Sequence, residues 1–510
     1  MLFWKRALIL LVLILLLISS VQAAWYSGSW SNREKITVPA SNVSSDLTNF
    51  PVFVDMSNLP SGFFSIVRSD GGDIRVTKAD GTTELAREVV FIDTANSEGE
   101  MHFLASGTLS SSTNTDFYIY YGNAAATEPA ETDTYGAQNT WVQDFVGVWH
   151  LDESVGSATN VYDSTSYNND GTTDGAMVSN DSVAAVVGRG IDFDGTSDSI
   201  AIPHSASLNF ERTDSFTISS YVKVVGASLD QVNSIFSKMD SGSPYRGYDL
   251  QARNDISSVS AEIFSTWTSS SLYKEAPYSP STVKDTWSYL AFAYGGTSTS
   301  SALDIYVNEN RKNPAATYDS LTTTIQNTNT ARIGSRDTVS NVWQDYFEGV
   351  IDEVRVSSVK RSEAWSNAEY INFSAPTSFC VINATETPSL TESYPNDNQV
   401  NILPKTFLRL QFNTSVTVNT GNVTIYKTSD DSLVDTIDVT SGRVYGVGAD
   451  EIYIYPLNGL VYATDYYILI DADSFDNGSI DPYPGISSKT ELNFSTKDQE
   501  FTPLFDDCCR

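Results

Sequence analysis

Residues Phe216 to Val224 read FTISSYVKV, a stretch in which β-branched and aromatic side chains predominate. Such residues favour β-strands. Similar runs recur roughly every 8–15 positions along the chain, separated by Gly, Asn, Asp, Ser and Pro, which favour turns. Apolar residues nowhere recur at helical spacing for long, and only Glu363 to Asn372 resembles a short helix. The sequence therefore predicts an all-β fold.

The length of the chain predicts several domains. At about 100–200 residues per domain, most of its 510 residues would form three domains. Polar stretches near 125–139 and 384–389 mark the boundaries between them. We predict three tandem β-sandwich domains: a small β-sandwich over 24–140, a jelly roll over 141–378 and an Ig-like sandwich over 388–498, followed by a tail over 499–510.

The N-terminus has the composition of an export signal. Lys5 and Arg6 precede an apolar run from Ala7 to Ile18, and the small residues of Val21-Gln22-Ala23 follow. The run of about 12 residues is too short to span about 30 Å of hydrocarbon. We expect residues 1–23 to be a signal peptide and the mature protein to be secreted, with a cell-surface location as an option. An uncleaved N-terminal anchor is the alternative.

Charge and cysteine content limit the partners and the mode of stabilisation. The chain has 63 acidic and 30 basic residues, for a formal net charge of −33. This charge repels nucleic acid and anionic membranes, and it suits a saline exterior, binding of divalent cations or simply solubility. Three cysteines, Cys380, Cys508 and Cys509, do not make a disulfide framework, and a pairing of Cys380 with a tail cysteine stays open.

Short motifs in the first region resemble a known family. They run from Trp25 to Asn123 and include Arg33-Glu34-Lys35-Ile36-Thr37, Leu47-Thr48-Asn49-Phe50-Pro51-Val52 and Tyr118-Ile119-Tyr120-Tyr121-Gly122-Asn123. Together they resemble the bacterial and archaeal family called domain of unknown function 2341. That family carries no assigned chemistry, so the resemblance implies a fold and gives no information about activity.

The second region carries motifs of a different family. They include Val148-Trp149-His150-Leu151-Asp152-Glu153, Ile191-Asp192-Phe193-Asp194-Gly195, Leu303-Asp304-Ile305-Tyr306-Val307-Asn308 and Gly349-Val350-Ile351-Asp352-Glu353-Val354-Arg355. These motifs resemble the laminin-G-like, concanavalin A-like jelly-roll family. The resemblance implies a carbohydrate- or protein-binding module, often with a bound calcium ion.

The third region resembles the Ig-like domain of bacterial surface-layer and adhesin proteins. The resemblance rests on Tyr394-Pro395-Asn396-Asp397, Gly421-Asn422-Val423 and Asn493-Phe494-Ser495-Thr496. It implies a spacer or a module of cell-surface assembly.

One loop of the jelly roll is a candidate calcium site. Asp163, Asn168 and Asp170 lie close together in the sequence, and Asp352 begins a run that we expect to return alongside the N-terminal strand. Calcium takes about six to eight oxygen ligands, which carboxylates and amides supply. We predict that these four residues bind Ca²⁺. The alternative is that the loop acids make local Asx turns and Asp352 caps a strand.

A second candidate site lies later in the same domain. Arg336, Asp337 and Asp345 share a predicted exposed loop with Trp343 and Tyr346. The pattern is similar to that of pentraxins, which share this sandwich and bind ligands through calcium on one sheet face. Sugar rings stack on aromatic faces while carboxylates meet their hydroxyls. We predict that these five residues bind a ligand, with packing of the two aromatic residues at the core edge as the alternative.

The sequence offers little support for catalysis. Jelly-roll glucanases usually carry Glu-x-Asp-x-x-Glu on one strand, but Val350 and Arg355 occupy the two glutamate positions here. Asp352 and Glu353 are neighbours, so we expect them on opposite faces of a strand. None of the three histidines has the spacing of a zinc site. They are His102, His150 and His204.

These observations predict a secreted or cell-surface multidomain binding protein that is not an enzyme. Its jelly roll would recognise a glycan or an extracellular surface protein, and it would bind no nucleic acid and insert into no membrane after signal cleavage. The alternatives are a secreted polysaccharide-degrading enzyme or its accessory subunit, and a structural component of a cell or virion surface assembly.

Overall fold

The computed structural model describes residues 25–142, 144–175, 177–225, 232–240, 242–253, 258–277, 285–336, 345–383, 388–457, 459–477 and 483–499. The predicted signal peptide and nearly all of the predicted tail, with Cys508 and Cys509, lie outside these ranges. Within them, no helix has both the length and the apolar character needed to cross a membrane.

The chain divides into two compact units, one containing Lys35–Asn383 and the other containing Ala384–Arg510. The predicted boundary near 140 therefore does not separate two units.

The first sandwich packs a five-stranded sheet on a three-stranded sheet. Its strands are β1 Asn32–Val38, β2 Leu47–Asp55, β3 Arg75–Lys78, β4 Glu84–Leu85, β5 Arg87–Asp93, β6 Glu98–Leu109 and β7 Thr115–Tyr121, with the short helix α1 Phe63–Ile66 between β2 and β3. The three-stranded sheet has the order β2-β6-β5. Four strands of the larger sheet have the order β1-β7-β3-β4, and a strand from beyond the jelly roll completes it.

The jelly roll occupies the middle of the chain and contains two large sheets. Its strands are β8 Phe145–Trp149, β9 Asn160–Val161, β10 Gly171–Asp174, β11 Ser182–Ala184, β12 Arg189–Asp194, β13 Ser199–Ile202, β14 Ser215–Val224, β15 Val232–Met239, β16 Gly247–Arg253, β17 Ser258–Thr266, β18 Ser270–Pro277, β19 Ser288–Gly295, β20 Leu303–Val307, β21 Asn310–Lys312, β22 Ala316–Asp319, β23 Ala331–Ile333 and β24 Glu348–Ser357. One sheet has the order β22-β18-β17-β16-β15-β23-β13-β10-β9. The other has the order β11-β12-β24-β14-β19-β20-β21, and β8 also pairs with β24. Trp149, Phe216 and Phe236 are buried in the core of this domain.

The chain returns to the first sandwich after the jelly roll. Two helices, α2 Glu363–Ser374 and α3 Pro376–Phe379, lead to β25 Val381–Asn383, which pairs antiparallel with β1. Ser362 caps the N-terminus of α2, because its hydroxyl accepts a hydrogen bond from the amide of Trp365. The Trp365 ring packs against Phe50 of β2 with 4.9 Å between the ring centroids. The core of the first sandwich therefore includes side chains that precede and follow the jelly-roll strands in the sequence. The first sandwich and the jelly roll form one compact unit.

The second unit contains the Ig-like sandwich, with two five-stranded sheets. Its strands are β26 Leu390–Tyr394, β27 Gln399–Ile402, β28 Leu408–Val418, β29 Asn422–Lys427, β30 Leu433–Asp438, β31 Val444–Tyr445, β32 Ala449–Ile454, β33 Asp465–Ile470, β34 Phe475–Asp476 and β35 Asn493–Thr496. Leu410, Ile425 and Ile452 contribute to its core. The predicted all-β fold is therefore confirmed.

Replacement of Asn372 by alanine is expected to lower the free energy of unfolding of the larger unit by about 2 kcal/mol. The Asn372 side chain in α2 accepts a hydrogen bond from the Phe53 amide at 2.8 Å and donates one to the Phe53 carbonyl at 3.0 Å, so it satisfies the buried edge of β2. Urea unfolding measures the loss. Asn367→Ala on the same helix is the control and should have little effect, since its side-chain oxygen meets no hydrogen-bond donor among the described residues. Equal losses of unfolding free energy in Asn372→Ala and Asn367→Ala would contradict this role of the Asn372 hydrogen bonds.

Candidate ligand-binding site

The nine-stranded sheet of the jelly roll carries polar side chains on the face turned away from the core. In β16, Tyr248 and Leu250 point into the core, so the alternation of a strand directs Asp249 to the opposite face. In β17, Ala261 and Ile263 are core residues in the same way. Glu262 lies between them and pairs in register with Asp249. The two carboxylates are therefore neighbours across two strands.

Arg336 joins these two carboxylates to a third. It follows β23, and its Nε lies 3.0 Å from Asp249 Oδ2 while its Nη2 lies 2.8 Å from Glu262 Oε2. The same Nε lies 3.2 Å from Asp345 Oδ2. A planar guanidinium suits such a cluster because it presents several donors in fixed directions. The structure thus brings one cation and three carboxylates together on the outer face.

Neutral polar groups complete the hydrogen bonding of this cluster. Ser234 Oγ donates to Asp249 Oδ1 at 2.7 Å, and Gln251 Nε2 donates to Asp249 Oδ2 at 2.8 Å. Ser260 Oγ in turn donates to Gln251 Oε1 at 3.0 Å. Buried polar groups are stable only when they are paired in this way. The cluster is therefore a well-defined polar floor that is itself buried beneath the outer face.

Burial changes the acidity of the cluster. Desolvation raises the pKa of Glu262 to about 7 and that of Asp249 to about 6, although Arg336 opposes both shifts. Burial also raises the pKa of Asp345. For Arg336, burial lowers the pKa, but the three carboxylates outweigh that effect and raise it. One cation does not neutralise three buried carboxylates, so this site favours proton uptake near neutral pH.

The charge of Glu262 is expected to make the stability of the larger unit depend on pH. A carboxyl whose pKa rises from 4.5 to about 7 on folding binds its proton more tightly in the folded state. The free energy of unfolding should therefore fall as pH rises from about 5 to about 8, by on the order of 2 kcal/mol. Urea unfolding of the wild type and Glu262→Gln at several pH values measures this slope. The variant should show a flatter dependence, and two equal slopes would contradict the account.

Aromatic side chains lie at one end of the polar floor. Phe264 follows Glu262 by two positions in β17 and packs edge-on against Trp267, with 5.1 Å between the ring centroids. Tyr245 lies 5.5 Å from the Trp267 ring by the same measure. The indole is 45% exposed, so it offers a flat apolar surface to a ligand.

Charged groups with partial exposure lie at the other end. Arg253 ends β16, and its Nε lies 3.7 Å from Glu275 Oε1 of β18. Its Nη1 also donates to the hydroxyl of Tyr273 at 3.3 Å. Both members of the ion pair keep part of their side chains in solvent. The outer face thus runs from an aromatic end to a charged rim, and the carboxylates are buried between the two ends.

The structure brings together part of the predicted ligand site. Arg336 and Asp345 form an ion pair, and Tyr346 is half-buried beside Asp345. Asp337 and Trp343 lie outside the described residues. The expectation of an exposed loop is wrong for Arg336, which is only 6% exposed because its guanidinium contacts the sheet. Whether these residues bind a ligand stays a prediction.

Four further residues of this face were not predicted from the sequence. They are Asp249, Glu262, Trp267 and Tyr273. A signal was available, because β16 and β17 alternate polar and apolar residues over GYDLQAR and SVSAEIF. Reading the two runs as paired strands would have placed Asp249 beside Glu262.

The predicted calcium loop forms, and its acids already have partners. Asp163 accepts hydrogen bonds from the amides of Val148, Thr165 and Asn169 and from the Thr165 hydroxyl. Asp170 accepts a hydrogen bond from the amide of Asp163 at 2.9 Å. These contacts match the Asx-turn alternative. Calcium binding by this loop stays a prediction.

The other two predicted calcium ligands lie in different surroundings. Asn168 is exposed, and its Oδ1 accepts a hydrogen bond from Gln138 at 3.3 Å. Asp352 is buried, and its Oδ2 accepts a hydrogen bond from the Val187 amide at 3.2 Å. Asp352 pairs with Tyr221 in the middle of the eight-stranded sheet.

The strand that carries Asp352 is irregular. The register between β14 and β24 shifts beyond Asp352, and Glu353 adopts a φ of +52°. Ile351 and Val354 both face the core, so the alternation is interrupted between them. Asp352 and Glu353 then share the face turned away from the core, and the expectation that they point to opposite faces is wrong.

Comparisons with known proteins agree with this architecture. A family model described as the concanavalin A-like lectin/glucanases superfamily matches residues 194–365. A second model, described as a bacterial Ig-like domain, matches residues 384–496. The middle region is therefore a concanavalin A-like jelly roll and the last region a bacterial Ig-like domain, as predicted. The resemblance of the first sandwich to a family of unknown function stays a prediction.

Solved structures with distant likeness include two toxin domains. The botulinum neurotoxin serotype C1 binding domain is 10% identical, with a TM-score of 0.34 over 65% of this chain and 72% of that chain. The binding domain of Paraclostridial Mosquitocidal Protein 1 is 11% identical, with a TM-score of 0.34 over 64% of this chain and 77% of that chain. A comparison with curated proteins finds no match.

Proposed function

We propose that this chain is an extracellular binding protein whose jelly roll recognises a neutral oligosaccharide on the outer face of its nine-stranded sheet. The observation that carries the proposal is the exposed indole of Trp267 at the end of the paired strands that hold Asp249 and Glu262. An exposed aromatic ring stacks on a sugar ring, while hydroxyls further along an extended ligand would meet Arg253 and Glu275, which keep part of their side chains in solvent.

The dimensions of the face favour an extended ligand. Phe264, which the Trp267 ring contacts, lies six positions along β17 from Ser258, the partner of Arg253, a distance of about 20 Å. Arg253 and Glu275 form the rim at this opposite end of the face. A monosaccharide does not reach from the indole to this rim, whereas an oligosaccharide does. The net charge of −33 favours a neutral ligand over an acidic one.

Glycoside hydrolysis is the second candidate, because Glu262 and Asp249 face each other and desolvation raises the pKa of both. A glycosidase needs two carboxylates on either side of the bond that it cleaves. Here Arg336 contacts both carboxylates and lies between them. A glycosidic bond would enter only if the guanidinium moved, so the arrangement supports binding.

A glycan array with the full mature chain tests the proposal. We expect binding to neutral oligosaccharides, weaker or absent binding to sulfated ones, and no release of shorter products during incubation. Trp267→Ala should lose the array signal. Tyr167→Ala removes another exposed aromatic residue of the same domain and should keep it. Release of shorter products that stops in Glu262→Gln would favour the hydrolase instead.

A further inference from the structure

Two histidines and two glutamates meet in the interior of the larger unit, away from the outer face just described. Glu100 and His102 lie on β6 of the first sandwich, whereas His150 follows β8 and Glu353 lies on β24 of the jelly roll. All four side chains are buried. The cluster therefore lies where the two sandwiches pack together within one compact unit.

The donor atoms of this cluster are close to one another. Glu100 Oε1 lies 2.9 Å from His102 Nε2 and 3.6 Å from His150 Nδ1. Glu353 Oε1 lies 2.5 Å from His150 Nδ1. One atom from each of the four side chains lies within 4.8 Å of all the others. Four ligands at about 2.0–2.2 Å from a tetrahedral zinc ion lie about 3.5 Å apart, so small shifts would suffice to hold one.

Groups around the cluster orient its ligands. Glu88 Oε2 lies 3.3 Å from His150 Nε2, which leaves Nδ1 of that ring to face Glu100 and Glu353. Arg355 donates two hydrogen bonds to Glu353 Oε2, which leaves Oε1 to face His150. Carboxylates and cations behind the ligands fix ring and carboxylate orientation in metal sites.

The two ring nitrogens of His102 differ in their surroundings. Its Nδ1 is buried, and no hydrogen-bond partner for it exists among the described residues. Nε2 is the nitrogen that faces Glu100, so a bound cation would meet Nε2 and leave Nδ1 unpaired. The surrounding charges favour a cation in the cluster, since the acidic groups Glu88, Glu100, Asp352 and Glu353 lie beside the guanidinium of Arg355 and the two histidines.

We propose that Glu100, His102, His150 and Glu353 bind one divalent transition-metal ion, with zinc as the best fit, and that this ion joins the first sandwich to the jelly roll. Two nitrogen and two carboxylate ligands suit zinc better than calcium, which prefers oxygen alone. Because the site is buried and has four protein ligands, the ion would be structural. It would leave no coordination position for a substrate.

Metal analysis of the full chain, purified without a metal-affinity tag, tests the proposal. We expect about one zinc ion per chain, and cobalt in its place should give the visible absorption of a tetrahedral site. A strong chelator should lower the melting temperature of the wild type. His102→Gln and Glu100→Gln should each retain less than about a tenth of the metal and lose that response to chelator.

Glu262→Gln is the matched control, since it alters a buried carboxylate of the outer face and should keep its zinc. The metal content of the wild type decides the matter even if a variant fails to fold. Wild-type chain that contains no metal after growth with zinc, takes up none on titration and melts at the same temperature with chelator would overturn the proposal. The cluster would then be a network of shared protons.

Discussion

Replacement of Arg336 by methionine is expected to lower the free energy of unfolding of the larger unit by about 3–5 kcal/mol. Its guanidinium is the cation that contacts Asp249, Glu262 and Asp345, and it is 5% exposed at the side chain. Without it, three carboxylates share a buried space and must take up protons or stay unpaired. Urea unfolding at pH 8 should show the largest loss, because the carboxyls are then most fully ionised.

Two further variants make this prediction specific. Arg332→Met removes the ion pair of Arg332 with Asp174, whose side chain is 41% exposed, and should cost less than about 1 kcal/mol. Addition of Glu262→Gln and Asp249→Asn to Arg336→Met should restore part of the loss, since a neutral set needs no cation. A loss below about 1 kcal/mol in Arg336→Met would contradict the account.

Replacement of Trp365 by alanine is expected to cost about 3–5 kcal/mol as well. The residue follows β24, the last strand of the jelly roll, yet its ring fills the core of the first sandwich against Phe50 and Phe145. The guanidinium of Arg361 lies 3.9 Å from the centroid of the same ring. The loss should appear in one transition for the first sandwich and the jelly roll, as measured by urea unfolding and by hydrogen exchange.

Trp267→Ala serves as the control for this change, because that indole is exposed and its removal should alter stability by less than about 0.5 kcal/mol. If Trp365→Ala increased hydrogen exchange in α2 alone and left the exchange of the β2 amides unchanged, the result would contradict a core shared by the helix and the first sandwich.

Much of the fold was predictable from the sequence. Local composition identifies a strand when one face is buried, so Phe216 to Val224 was recognised as strand-like, and β14 spans Ser215–Val224 in the structure. The short helix was predicted to begin at Glu363, where α2 begins. The return of β25 to the first sandwich was not predicted, because pairing between distant strands leaves no local pattern.

The sites were less predictable, for a related reason. His150 and Glu353 lie 203 positions apart, and only the pairing of β8 with β24 brings them together. Arg336 was identified from its loop, but the carboxylates that bind it come from β16 and β17. A charged residue in a Gly- and Asp-rich stretch is usually exposed, and here the contacts of its guanidinium with the sheet override that tendency.

Titration of a neutral oligosaccharide into the full mature chain is the most direct measurement of the central claim. The oligosaccharide is the strongest binder on the array, and the chains compared are the wild type, Trp267→Ala and Tyr167→Ala. We expect the affinity for the oligosaccharide to fall about tenfold or more in Trp267→Ala and to stay unchanged in Tyr167→Ala. Equal affinities of the wild type and Trp267→Ala would contradict recognition on this face.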